Sequence, residues 1–180
     1  MRDRVIRDEI HRDILVPAHH ARIIDTHEFQ RLRNVQQLST CEFVFPSATH
    51  TRFAHSLGAY HLAGALTDSL QEVQPGLLSN DDAELVRLGA LLHDIGHPPY
   101  SHLLETPEVF ATYHSHEHWG RVMLEDTSSE IGQVLDEVLG NERKKRLFSI
   151  LDGAKECDGV SIAPFLKEII SSQLDVDRMD

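Results

Sequence analysis

Residues 83–99, AELVRLGALLHDIGHPP, are apolar on almost every side of a helix and then stop on a histidine, an aspartate and two prolines. A helix that is apolar all round belongs inside a core. Burying a carboxylate at its end is costly unless that carboxylate is paired or coordinates a cation. The chain must therefore pack other helices around this segment and supply positive charge at His93 and Asp94, for which a metal ion is the natural source. Adjacent helical residues point about 100° apart, so both reach one ion only if it sits against the helix end. Gly96 and Pro98-Pro99 open the structure there. The helix is expected from about Asp82 to His93, with Ser79, Asn80 and Asp81 as candidate caps.

The remaining pattern is mostly helical. Residues 4–16 alternate polar residues with Val and Ile up to Pro17, which predicts a short strand or hairpin. Phe29, Leu32, Val35 and Leu38 recur every three residues and predict a helix over about Asp25–Leu38. Pro46 lies in a loop, and Thr49 or Thr51 then caps a helix over Arg52–Val73 that Pro75-Gly76 ends. Two helices follow between His114 and Gly140, separated by a loop near Asp126–Ser129. The basic run ERKKR at 142–146 reads as a solvated helix face, with a polyanion or nucleotide-effector site as its alternative. A last helix is expected from Pro164 to the end of the chain. The fold class is all-α, a helical bundle with a short N-terminal β-hairpin, in one domain over residues 1–180.

A formal charge of −12 repels a phosphate backbone, so nucleic acid is a poor candidate for the main partner. An anionic substrate must meet a local positive site, such as a metal ion with arginines. Thirteen histidines are an ample stock of ligands and proton carriers. No apolar run is long enough to span a bilayer, and the charged N-terminus lacks the apolar stretch of a secretory signal, so a cytoplasmic location is expected. Cys41 and Cys157 are expected to be reduced, partly buried thiols.

His55 and one of the C-terminal aspartates Asp175, Asp177 and Asp180 are the expected partners of His93 and Asp94. Asp177 follows Leu166, Ile170 and Leu174 at spacings of eleven, seven and three, which puts it on the inward face of a continuous helix. Asp175 falls out of that phase and reads as an exposed or capping carboxylate. The set His55, His93, Asp94 and Asp177 is mixed in N and O donors and suits one divalent ion, which manganese, iron, nickel, zinc or magnesium would each satisfy.

The ordered His55, His93-Asp94 and Asp177 match the signature of HD-domain phosphohydrolases. The blocks DTHEFQRLRNVQQL, FPSATHTRFAHSLGAYH, ALLHDIGHPPYSH and LDVDRMD resemble more narrowly the deoxynucleoside triphosphate triphosphohydrolases, dGTPases among them, over residues 4–180. That resemblance implies hydrolysis of a dNTP to a deoxynucleoside and triphosphate. By it, Arg52 contacts phosphate, and Gln37 and Leu38 contact the sugar and exclude ribonucleotides. His102, Glu105 and His116 are catalytic. Asp25 and Arg33 hold an activating nucleotide between subunits, for which helix capping and surface pairing are the alternative reading. It also implies a homo-oligomer. Family members continue past the position of Asp180 with helices that close over the nucleotide. Two other functions fit the same residues: a nucleotidase or phosphodiesterase for a smaller ester, and a metal- and nucleotide-binding regulatory module without turnover.

Overall fold

A computed structural model describes residues 2–104, 114–153, 156–157 and 160–180. The chain opens on an antiparallel hairpin, β1 (Arg4–Asp8) and β2 (Arg12–Val16), with Ile6 opposite Ile14. Alternation sends Ile14 and Val16 into the core and leaves Val5 and Leu15 in solvent. Pro17 ends the strand and is at once the residue that opens α1 (Ala18–Ile24), a helix the apolar periodicity did not predict. The helix expected over Asp25–Leu38 is instead broken. Thr26 is extended, α2 spans only His27–Gln30, and a 3-10 turn covers Arg31–Asn34. The backbone then extends at Val35, whose carbonyl accepts from Arg52 N at 2.8 Å while Gln37 N donates to His50 O at 3.0 Å. Strand-like pairing with the segment before α3 thus competes successfully with helix, and the spacing of three is met by a 3-10 turn.

Two long helices form the centre. α3 (Arg52–Val73) is capped by the Thr51 hydroxyl, which accepts from Ala54 N. α4 (Asn80–Leu92) is capped by Ser79 and carries Asp81 and Asp82 in its first turn, where carboxylates favour the positive end of the helix. It packs against α3, α6 (Glu130–Asp152) and α7 (Phe165–Ile170), with Leu85, Leu88, Leu91 and Leu92 essentially inaccessible. Each such side chain contributes roughly 1.5–3 kcal/mol of burial. α5 (His116–Glu125) and α6 flank the predicted loop, but α6 runs on to Asp152 through a bend at Gly140, where φ is +68°. A two-stranded pair follows, β3 (Glu156–Cys157) with β4 (Val160–Ser161).

The C-terminal helix is not continuous. α7 ends at Ile170, the backbone extends at Ser171, and a separate turn, α8 (Val176–Met179), starts from Asp175. Leu174, assigned above to the inward face, is exposed, whereas Asp175 is buried and caps α8 by accepting from Arg178 N at 2.8 Å. The basic run is not a solvated face either. Arg143 donates to Asp81 at 2.6 Å and to Glu84 at 2.8 Å, Arg146 binds Asp81 and Asp82, and Lys144 meets Asp136 at 2.7 Å. The two arginines clamp α6 to the start of α4, while the Lys144–Asp136 pair lies within α6. Cys41 is exposed rather than partly buried. Among the described residues no helix is long and apolar enough to cross a membrane.

One close approach fixes the turn after α4. A Cβ at Gly96 would lie 2.0 Å from the His116 carbonyl oxygen and 2.3 Å from Gly120 N, so α5 rests directly on that turn. Gly96→Ala must push the two backbones apart, and urea unfolding should show a loss of about 1–3 kcal/mol, the usual cost of overpacking. An unchanged midpoint would contradict this contact.

Candidate metal centre and cleft

His93 stands at the C-terminal cap of α4, where its Nδ1 lies 2.8 Å from Ala90 O. A carbonyl only accepts, so Nδ1 carries the proton and the lone pair of the neutral ring is on Nε2. That Nε2 is buried and has no hydrogen-bond partner, although it lies 3.4 Å from Asp177 Oδ1 and 3.5 Å from Asp94 Oδ1. His55, in the first turn of α3, is held the same way: Nδ1 meets Asp180 Oδ2 at 2.8 Å and Nε2 meets Asp177 Oδ1 at 2.9 Å. His55, His93 and Asp177 place one donor atom each within 4.8 Å of one another. Asp94 joins through Oδ2, 3.8 Å from His55 Nε2, while leaning toward Arg52 and toward His97 Nε2 at 3.4 Å. An orphaned imidazole nitrogen facing two carboxylates and a second oriented imidazole fits a divalent cation; His55, His93 and Asp177 form one group, and Asp94 lies beside it in a second group with His97 and His116.

The charges of the metal-free site tell the same story. Burial alone would lower the His55 pKa, but hydrogen bonds to Asp177 and Asp180 and the charge of Asp94 carry it up to about 9. His93 is raised too, because Asp94 and Asp177 outweigh its burial. Burial works to raise Asp94, yet His93, His97 and Arg52 hold it well below the ordinary carboxylate range. The hydrogen bond from His55, with the nearby His93 imidazole, lowers Asp177. Protons on imidazoles thus do the electrostatic work that a cation would do when bound.

Arg52, 3% exposed, binds Asp94 through Nη1 and donates from Nε to Ser101 Oγ at 2.9 Å. Tyr100 and Ser101 have φ of +65° and +46°, a left-handed backbone that non-glycine residues avoid and that clusters at functional sites. Ser39, also left-handed, donates to Tyr100 O at 2.9 Å and so ties the Gln37–Leu38 segment to this turn. His93, Asp94 and Asp177 line a cleft of about 470 Å³ whose walls include Gln37, Leu38, Arg52 and His116, with Arg121 and Lys167 beyond them. That volume is in the ordinary range for small-molecule sites, roughly 300–1,000 Å³. The buried Gln37 Oε1 has no hydrogen-bond partner among the described residues. His116 stacks on His97 with ring centroids 3.7 Å apart, whereas His114 and His118 stack on each other at 4.1 Å. The backbone of His102 lies in the 3-10 turn Ser101–Leu103, while its side chain, and Glu105 altogether, lie outside the described residues. Asp25 pairs with Arg4, and Arg33 bonds Gln30 and covers the Phe53 ring at 3.6 Å; neither lines the cleft.

Comparison with known protein families matches residues 52–180 to the HD domain. The chain belongs to the HD domain family. Members of that family share a helical fold and bind divalent metals. It is 40% identical over 177 residues, 98% of its length, to an uncharacterized protein of Methanocaldococcus jannaschii, of which it covers 32%. It is 37% identical over 99% of its length to an uncharacterized protein of Bacillus subtilis, covering 38% of that protein. The deoxynucleoside triphosphate triphosphohydrolase SAMHD1 of Homo sapiens is 48% identical over 103 residues, 57% of this chain and 16% of that protein. The chain thus spans well under half of the length of these relatives.

Two residues of the HD centre take roles that sequence reasoning does not assign. Asp180 grips His55 Nδ1 from behind, and its other oxygen accepts from His11 Nε2 at 2.6 Å, so the hairpin turn is tied to the metal site. His11 carries no local signal; only the recurrence of Asp at 175, 177 and 180 marked the region. Carboxylates that orient a ligating histidine typically matter 10–100-fold for metal affinity. Calorimetric titration of Asp180→Asn with manganese should show a loss of that order, and wild-type affinity would refute the role. For the wild type the pH dependence has a definite sign. Below about pH 9 the metal-free His55 holds a proton that an incoming cation must displace. Affinity should rise about tenfold per pH unit from 7 to 9 for that proton alone. Protons released on binding, counted from heats in buffers of different ionisation enthalpy, check it; binding without proton release would refute it.

Proposed function

We propose that the chain is a metal-dependent dNTP triphosphohydrolase. The observation that carries this reading is the orphaned Nε2 of His93, which faces His55, Asp94 and Asp177 beside a cleft that Arg52 also lines. A bound divalent ion there would act as a Lewis acid and lower the pKa of a coordinated water. His55 and His93 would hold it through Nε2, and Asp94 and Asp177 through carboxylate oxygens.

Arg52 serves two anions. It neutralises buried Asp94, and its guanidinium faces the cleft wall where a phosphate chain would lie, so charge developing on phosphate oxygens meets a fixed donor. Gln37 offers its unpartnered Oε1 to a sugar hydroxyl, and Leu38 presents an apolar edge where a 2′-hydroxyl would be left without a partner. His102, His116 and Glu105 take the proton-carrying roles that the family match implies. Water oxygen bonds to the α-phosphorus, O5′ departs with a proton, and the products are deoxynucleoside and triphosphate. The 48% identity to a protein named as a deoxynucleoside triphosphate triphosphohydrolase supports this substrate class. Asp25 and Arg33 keep the effector role on the strength of their match alone.

Incubation with each dNTP and manganese should release inorganic triphosphate, resolved by anion-exchange chromatography. Release of orthophosphate from monophosphates instead would reassign the chain to the nucleotidases. Nucleotide binding without any product would make it a regulatory module.

A further inference from the structure

A second group of histidines lies outside the HD centre. His19 and His20 open α1, and both direct Nε2 at the same oxygen of Glu84 on α4, at 2.9 and 3.2 Å. The three donor atoms lie within 4.8 Å of one another. Two donors each 2.0–2.2 Å from a common ion, at tetrahedral or octahedral angles, are roughly 2.9–3.5 Å apart. The distances from Glu84 to the two imidazoles are therefore already those of a coordination sphere.

Its surroundings fix each donor. The other oxygen of Glu84 accepts from Arg143 Nη2 at 2.8 Å, which leaves Oε1 alone facing the imidazoles. The charge of Arg143 is answered by Asp81, 2.6 Å from its Nε, so it does not stand as an unopposed positive neighbour. His20 is 1% exposed, and its Nδ1 sits 2.8 Å from Tyr60 Oη, which also accepts from Arg87 at 3.1 Å. With the proton on Nδ1 donated to Tyr60, Nε2 is free to ligate; histidine ligands are usually oriented by a partner of this kind on the opposite nitrogen. His19 is about half exposed and gives the group an open side through which an ion and its waters reach it.

We infer that His19, His20 and Glu84 form a second metal site that binds a divalent transition ion and ties α1 to α4. Two imidazoles and one carboxylate suit zinc, nickel or iron(II) better than magnesium or calcium. The site shares no residue with the HD centre, so its occupancy is read separately.

Zinc is the probe, added to chelator-stripped full chain and counted by equilibrium dialysis with elemental analysis. His19→Ala, an exposed position, should bind one zinc equivalent fewer than wild type and fold with the same metal-free thermal midpoint. Glu84→Gln should lose the same equivalent, whereas His93→Ala should keep it. Zinc should also raise the thermal midpoint of wild type more than that of His19→Ala. If His19→Ala binds as many equivalents as wild type, the cluster is only a hydrogen-bonded joint between two helices and the inference is overturned.

Discussion

The carboxylate of Asp94 sits 4% exposed at the end of a helix whose other side chains are apolar. An unpaired charge in that position would cost several kcal/mol, and the surrounding elements are arranged so that it is never unpaired. Arg52 reaches it from the first turn of α3, which fixes where α3 begins against the end of α4. Arg52 in turn is held by Ser101, and that contact supports a left-handed turn at Tyr100 and Ser101 that would otherwise be unfavourable by roughly 1–2 kcal/mol per residue. The turn then anchors Ser39 and with it the Gln37–Leu38 segment. One buried charge thus organises the floor and one wall of the cleft.

The same logic orients the imidazoles. Ala90 O takes the His93 Nδ1 proton, and Asp180 takes that of His55, so both rings turn Nε2 inward before any ion arrives. Preorganisation of this kind reduces what binding must supply in ordering. It also explains why the N-terminal hairpin, remote in sequence, belongs to the site. His11 braces Asp180, and the hairpin reaches α3 through Ile14 and Val16 in the core.

Long, regular signals were legible. The hairpin, α3 to the residue, the buried α4 and the loop between α5 and α6 all follow from alternation, apolar phase, caps and Pro-Gly breaks. Short elements were not, because their backbone is set by partners distant in sequence. Val35 extends to pair with the residues before α3, which truncates the helix that Phe29, Leu32, Val35 and Leu38 imply. The phase that points Asp177 inward belongs to a helix that is broken at Ser171. Asp177 reaches His55 because Asp175 caps a new turn there, and that cap depends on burying Asp175. The ERKKR run looked solvated because its acidic partners, Asp81, Asp82, Glu84 and Asp136, include three on another helix.

By itself the sequence determined a helical core around α4, a costly carboxylate at its end and the residue types able to compensate it. Hydrophobic period and the energetics of buried charge are local enough to be read from order alone. Tertiary structure decided which nitrogen of each histidine faces inward, that Asp180 and His11 stand behind His55, and that His19 and His20 converge on Glu84. Those outcomes rest on hydrogen bonds between residues up to 169 positions apart, whose geometry exists only once the helices have packed.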